Sequence, residues 1–108
     1  MTPKEILQKT KAYLSDRELW CQGHGAVLLY DGRVARCALS ALSTINGSTT
    51  AEYCDGALAP LIKATKLHSL AGNTSIIDFN DSPNTTHEDI MRLFEKAIQI
   101  AEEDEKAN

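Results

Sequence analysis

The stretch TTHEDIMRLFEKAIQIA, Thr85–Ala101, decides how this chain is read. Ile90, Phe94, Ala97, Ile98 and Ala101 recur at i, i+4, i+7, i+8 and i+11, the spacing that lines one face of an α-helix. Thr85 stands three residues before Glu88, so side chain and backbone can satisfy each other's orphan donors at the helix start. The same threonine-x-x-glutamate spacing recurs at Thr2…Glu5 and Thr49…Glu52 and predicts two more helix starts. Pro3, at a first helical position where its missing N–H costs nothing, supports a helix from Pro3 to about Asp16. Ile6, Leu7, Tyr13 and Leu14 share its apolar flank. The second start opens a stretch carrying Tyr53, Cys54, Ala57, Leu58, Leu61, Ile62 and Leu67 at helical spacing. Pro60 should kink or divide it, and Gly72-Asn73 should stop it.

Between the first two helices, Ala26–Tyr30 and Arg33–Arg36 flank Asp31-Gly32, a dipeptide suited to a two-residue hairpin turn. The first of these strands is continuously apolar and is expected to be buried on both faces, with Arg33 and Arg36 leaving the second nearer solvent. Cys37–Leu42 reads as a short helix of small residues that stops at Asn46-Gly47. Ser75–Phe79 reads as a short strand that could extend the hairpin to three strands, since two alone are marginal. The acidic run Glu102-Glu103-Asp104-Glu105 sits at the negative pole of the last helix, so residues from about 102 to 108 are expected to fray. The expectation is a single α+β domain over residues 1–108: three main helices and a short one on a small antiparallel hairpin or three-stranded sheet.

With 108 residues and 43% apolar side chains, the chain can bury a core without disulfide or metal staples. Fifteen acidic against eleven basic residues give a net charge of −4, with lysines and arginines scattered rather than grouped, which argues against nucleic acid as partner. No apolar run reaches the length of a membrane span. Met1-Thr2-Pro3-Lys4-Glu5 enters a charged helical pattern directly, so a cytoplasmic location is expected, with Cys21, Cys37 and Cys54 as free thiols.

Three stretches taken in order, Trp20-Cys21-Gln22-Gly23, Cys37–Leu42 and Phe79–Thr85, resemble the signatures of an uncharacterised domain of unknown function found in actinobacterial and phage proteins. Those signatures are a tryptophan-x-glutamine-glycine stretch, a cysteine-alanine-x-glycine-alanine helix start and a tryptophan-asparagine-aspartate-x-proline loop. The chain departs from them with Ser40 for the glycine, Phe79 for the second tryptophan and Asn84-Thr85 for a glycine-arginine pair. The resemblance implies one domain with three helical regions and brings no established activity.

Several groups of residues admit a chemical reading beside a structural one. Cys37, before a helix start, is placed to be a nucleophile with His24 or His68 as base, although buried cysteine in a core is the commoner role. Cys21, His24, Cys37 and Cys54 include four soft donors for zinc, but only Cys21-x-x-His24 has the close spacing of a ligand pair. Asn80-Asp81-Ser82-Pro83-Asn84 is a polar loop ahead of a capped helix, either closing its own turn or meeting a ligand, with the amides of Thr86 and His87 as an anion site. Trp20, with Gln22 as its polar neighbour, is a core indole or a stacking surface.

No phosphate loop, paired metal motif or nucleophile elbow is present in the sequence. The expected function is a non-enzymatic binding module without a cofactor, open to self-association, that contacts a host protein or small polar ligand through Trp20, Gln22, Asn80 and Asp81. The alternative is a small cysteine-dependent hydrolase or transferase built on Cys37.

Overall fold

The computed structural model describes residues 2–47, 56–68 and 75–107. Helix α1, Pro3–Leu14, begins as its sequence requires: the Thr2 hydroxyl accepts the Glu5 N–H at 3.2 Å and Pro3 occupies the first turn. Ile6, Leu7 and Leu14 are fully buried, and so is Thr10, whose hydroxyl donates to the Ile6 carbonyl at 2.7 Å. A 3-10 turn, Arg17–Leu19, then leads into the extended segment at Trp20.

Strands β1, Ala26–Leu28, and β2, Val34–Arg36, pair antiparallel with Leu28 opposite Val34 and Ala26 opposite Arg36. Leu29 N–H donates to Arg33 C=O at 2.8 Å and Gly32 N–H to Leu29 C=O at 3.1 Å. The loop therefore has three residues, Tyr30-Asp31-Gly32, with Gly32 at φ 88° as the left-handed bulge position, rather than the two-residue turn predicted. The burial order is also the reverse of the prediction. All of β1 is exposed, whereas Ala35 of β2 is buried, because β2 is the strand that faces the helices: Tyr13 donates its hydroxyl to the Val34 carbonyl.

Helix α2, Ala38–Asn46, starts with Cys37 as its cap and ends on Gly47 at φ 78°, as the Asn46-Gly47 signal predicts. Helix α3, Leu58–His68, contains Pro60, which lies in the first turn, where no ladder bond is lost, and does not kink a longer helix. The Thr49…Glu52 start and the Gly72-Asn73 stop lie outside the described residues, as do Tyr53 and Cys54.

The expected strand at Ser75–Phe79 is helical. Helix α4 spans Ile76–Asp81, and the Ser75 hydroxyl accepts the Asp78 N–H at 3.1 Å. Ile76, Phe79 and Asn80 are buried while Ile77 is 51% exposed, the spacing of one helix face, and the β-branched pair Ile76-Ile77 does not make the segment a strand. The hairpin therefore gains no third strand from this segment.

Helix α5, His87–Ala107, is capped one residue later than predicted. Thr86 N–H donates to the Asp89 carboxylate at 2.9 Å and Asp89 N–H to the Thr86 hydroxyl at 3.2 Å, so the reciprocal box is Thr86…Asp89. The helix runs on through the acidic stretch to Ala107, beyond the point where fraying was expected. Lys4 meets Glu102 at 3.5 Å across to α1.

Helix α5 packs against α1 and α3, α1 against α2, α2 against α4, and α4 against α3, closing a ring around one core. Ile90, Leu93, Phe94, Ala97 and Ala101 of α5 are at its centre, with Leu61 and Ala64 of α3 and Ala38, Ala41 and Leu42 of α2. The architecture is α+β: mostly helical, with a two-stranded antiparallel sheet attached outside the ring. No helix among the described residues is long and apolar enough to cross a membrane.

Candidate functional site

Trp20, Gln22, Asn80 and Asp81, separated by some sixty residues in sequence, meet where α4 ends and the extended segment after the 3-10 turn passes β2. Asn80 is the centre and is 1% exposed. Its side-chain oxygen accepts the Trp20 indole N–H at 2.8 Å and the Ala38 backbone N–H at 3.0 Å. Its amide nitrogen donates to the Cys21 carbonyl at 3.0 Å and to the Asp81 carboxylate at 2.9 Å. Two donors on one side and two acceptors on the other fix the amide's orientation, and all four of its hydrogen-bonding valences are used. One side chain thus ties together the Trp20 segment, the N-terminus of α2 and the end of α4.

The neighbours complete the clamp. The Gln22 side-chain nitrogen donates to the carbonyls of Asn80 and Ser82, both at 2.9 Å, and lies 3.3 Å from that of Thr85. The polar partner of Trp20 is therefore Asn80, and Gln22 instead closes the loop that leads to α5. Asp81 accepts the Gly23 N–H at 2.9 Å. That backbone N–H, and next the Asn80 amide, hold the Asp81 carboxyl below the usual aspartate range. The Trp20 ring, half-buried, lies against His87 with centroids 6.0 Å apart, and His87 Nε2 hydrogen-bonds the Leu14 carbonyl at 2.6 Å.

A carboxyl held low in the folded state contributes stability that is complete above the ordinary aspartate value, near 3.9, and drains as pH falls through the lowered value. Because Asp81 lies at the surface, the contribution should stay under about 1 kcal/mol. Urea titrations at pH 6 and pH 3 should show a smaller acid loss in Asp81→Asn than in the unaltered chain; equal losses would remove Asp81 from the account.

The other sequence candidates are not brought together in a reactive arrangement. Cys37 is 9% exposed, and its sulfur accepts the Ser40 N–H at 3.4 Å as the cap of α2. His24 and His68 are both exposed, and among the described residues no hydrogen bond joins either imidazole to that sulfur. Among the described residues no three His, Cys, Asp or Glu side chains gather to hold a metal ion, and Cys54 of the proposed zinc quartet lies outside them. The Thr86 amide expected at an anion site is taken by Asp89.

What sequence reasoning missed is the set of backbone partners, the Cys21 carbonyl and the Ala38 N–H, which leave no signal in side-chain type. A family model described as "Family of unknown function (DUF6197)" matches residues 1–100, a span that takes in the whole clamp and most of α5. The chain belongs to this family. Neither the curated proteins nor the solved structures contain a match. In this DUF6197 member, the three stretches that carry the resemblance converge: Trp20 and Gln22 from the first, the Ala38 amide from the second, and Asn80 and Asp81 from the third. Chemically, the arrangement positions backbone. The Asn80 amide has no valence left for a ligand, and within the clamp the side-chain oxygens for which no hydrogen bond is seen among the described residues are Gln22 Oε1 and the second carboxylate oxygen of Asp81.

Proposed function

We propose that the chain is a small non-enzymatic protein-interaction module, and that its contact surface is the open edge of β1 rather than the polar clamp. The observation that carries this reading is the exposure of Leu28, 75%, beside a Val27 that is 37% exposed and a fully exposed Tyr30. Antiparallel pairing alternates, and the bonds at Leu29–Arg33 and Gly25–Cys37 place residues 25, 27 and 29 toward β2. Ala26 and Leu28 therefore turn their N–H and C=O groups away from β2, as a template for an added strand.

The edge is held firmly enough to serve. Arg33 reaches Asp31 at 2.7 Å, Asp16 at 3.0 Å and Glu18 at 2.5 Å, tying the hairpin tip to the 3-10 turn. The occupant we assign is an extended, apolar segment of another protein, and the phage and actinobacterial setting implied by the resemblance makes a host protein the class to search. Among the described residues no base is aimed at Cys37 to support the cysteine-hydrolase alternative. A small polar ligand at Asn80 would have to displace bonds already made.

The test uses the direction of one N–H. Leu28→Pro removes an outward donor and leaves the β1–β2 ladder its bonds. Once a partner is isolated with the unaltered chain, titration calorimetry should show Leu28→Pro binding at least about tenfold more weakly, with an unchanged far-ultraviolet spectrum. Binding at full strength by Leu28→Pro, or loss of binding on Gln22→Ala instead, would move the surface elsewhere.

A further inference from the structure

Cys21 and Cys37 follow directly after Trp20 and Arg36, which form a parallel bridge between the extended segment and β2. Cys21 N–H donates to the Arg36 carbonyl at 3.1 Å, so the two chains still run side by side as they reach the cysteines. Neighbouring strands lie about 4.8 Å apart, inside the Cα separation of about 4.4–6.8 Å that a disulfide spans. The backbone is extended at Trp20 and through β2, so successive side chains alternate. Both cysteines therefore leave the ladder on the face opposite Trp20 and Arg36. Asn80 braces the pair from the other side, bonding the Cys21 carbonyl and the N–H of Ala38.

The thiols also feel one another. Burial first, and then the neighbouring Cys37, push the Cys21 thiol up from its ordinary value. Among the described residues each sulfur makes one weak hydrogen bond, Cys21 to the His24 carbonyl at 3.3 Å and Cys37 from the Ser40 N–H at 3.4 Å. Cys21 is the more open of the two.

We propose that Cys21 and Cys37 form a thiol pair that a small-molecule disulfide, such as oxidised glutathione, converts to an intramolecular disulfide. The Cys21 thiolate attacks one sulfur of the reagent, forming a mixed disulfide and expelling one thiolate, which takes up the proton Cys21 gave. The Cys37 thiolate then attacks the Cys21 sulfur and expels the second thiol in the same way. The protein loses two electrons and two protons, and the reagent is reduced to two thiols. The new bond closes a loop that contains the entire hairpin and staples the Trp20 segment to the start of α2.

The experiment is incubation of the full chain with oxidised glutathione, followed by intact-mass measurement and peptide mapping. The expected product is about 2 Da lighter and linked Cys21–Cys37, both in the unaltered chain and in Cys54→Ser. It should form faster at pH 9 than at pH 7 and melt about 5–15 °C higher than the reduced chain. Cys37→Ser keeps a capping side chain for α2 and should stop at a glutathione adduct on Cys21. A chain that stays reduced, carries only glutathione adducts, or links either cysteine to Cys54 overturns the proposal.

Discussion

Asn80→Ala is expected to lower the unfolding free energy by about 3–5 kcal/mol, among the largest losses any single substitution here should cause. The side chain is buried, and truncation leaves four partners at once: the Trp20 indole N–H, the Ala38 N–H, the Cys21 carbonyl and one Asp81 carboxylate oxygen. An orphaned buried donor or acceptor costs about 1–3 kcal/mol, and water entering the gap recovers part of the sum for the groups nearest the surface. Asn80→Asp separates donor from acceptor. It keeps both bonds made by the oxygen, loses the donation to Cys21, and sets a carboxylate against Asp81, so its deficit should shrink as pH falls and the pair takes up a proton. Trp20→Phe removes one donor and keeps most of the ring, for about 1–2 kcal/mol. Since Trp20 and Asn80 share a bond, the double variant should lose less than the two single losses added together. Strict additivity in denaturant titrations would show that the bond contributes nothing to stability.

The second large effect belongs to Phe94→Ala, which should cost about 3–5 kcal/mol. Phe94 is fully buried on α5, the helix that both α1 and α3 pack against. Removing the ring opens a cavity bounded by elements that the rest of the ring of helices holds in place, so little collapse can offset the loss. The denaturant midpoint should fall with an unchanged slope, because the surface exposed on unfolding is nearly the same. Ile98→Ala, on the same helix but only half-buried, should cost clearly less. Equal losses at the two positions would contradict the placement of α5 at the centre of the core.

The readability of this chain follows from where its information lies. Helices α1 and α5 repeat apolar side chains over three turns or more behind a capping threonine. Ile6, Leu7, Leu14, Ile90, Phe94, Ala97 and Ala101 are buried as their spacing predicts, while Leu93 and Ile100 are buried beyond that set and Tyr13 and Ile98 are only partly buried. Helix α4 has six residues, too few for period to compete with the β-branched pair Ile76-Ile77. Its one local signal, Ser75 three residues before Asp78, is the same kind of cap that marks the other helices and outweighs strand propensity. The exposed β1 illustrates a different limit. An apolar run fits a buried strand, but which strand faces the core depends on the reach of Tyr13 from α1, a contact between distant parts of the chain. The clamp lies between these cases. Its members are polar residues in two short motifs, legible as a group, while their use depends on backbone atoms that only the folded chain brings near: the Cys21 carbonyl, the Ala38 N–H and the Ser82 carbonyl.

Polar residues that look like a ligand site can be consumed in joining segments, and the distinction is one of counting valences. Trp20, Gln22, Asn80 and Asp81 spend most of theirs on the protein itself, whereas Leu28 leaves most of its apolar surface open and Tyr30 all of it. That contrast is the ground on which we propose the hairpin edge as a binding surface.

The most direct measurement of the clamp is hydrogen exchange by NMR, following the Trp20 indole N–H and the Ala38 amide in the unaltered chain and in Asn80→Ala. Both protons should exchange slowly in the unaltered chain and speed up together by orders of magnitude in the variant, with the α5 amides still protected. If the two protons already exchange at solvent rates in the unaltered chain, or keep their protection without the Asn80 amide, then Asn80 is not what joins these segments.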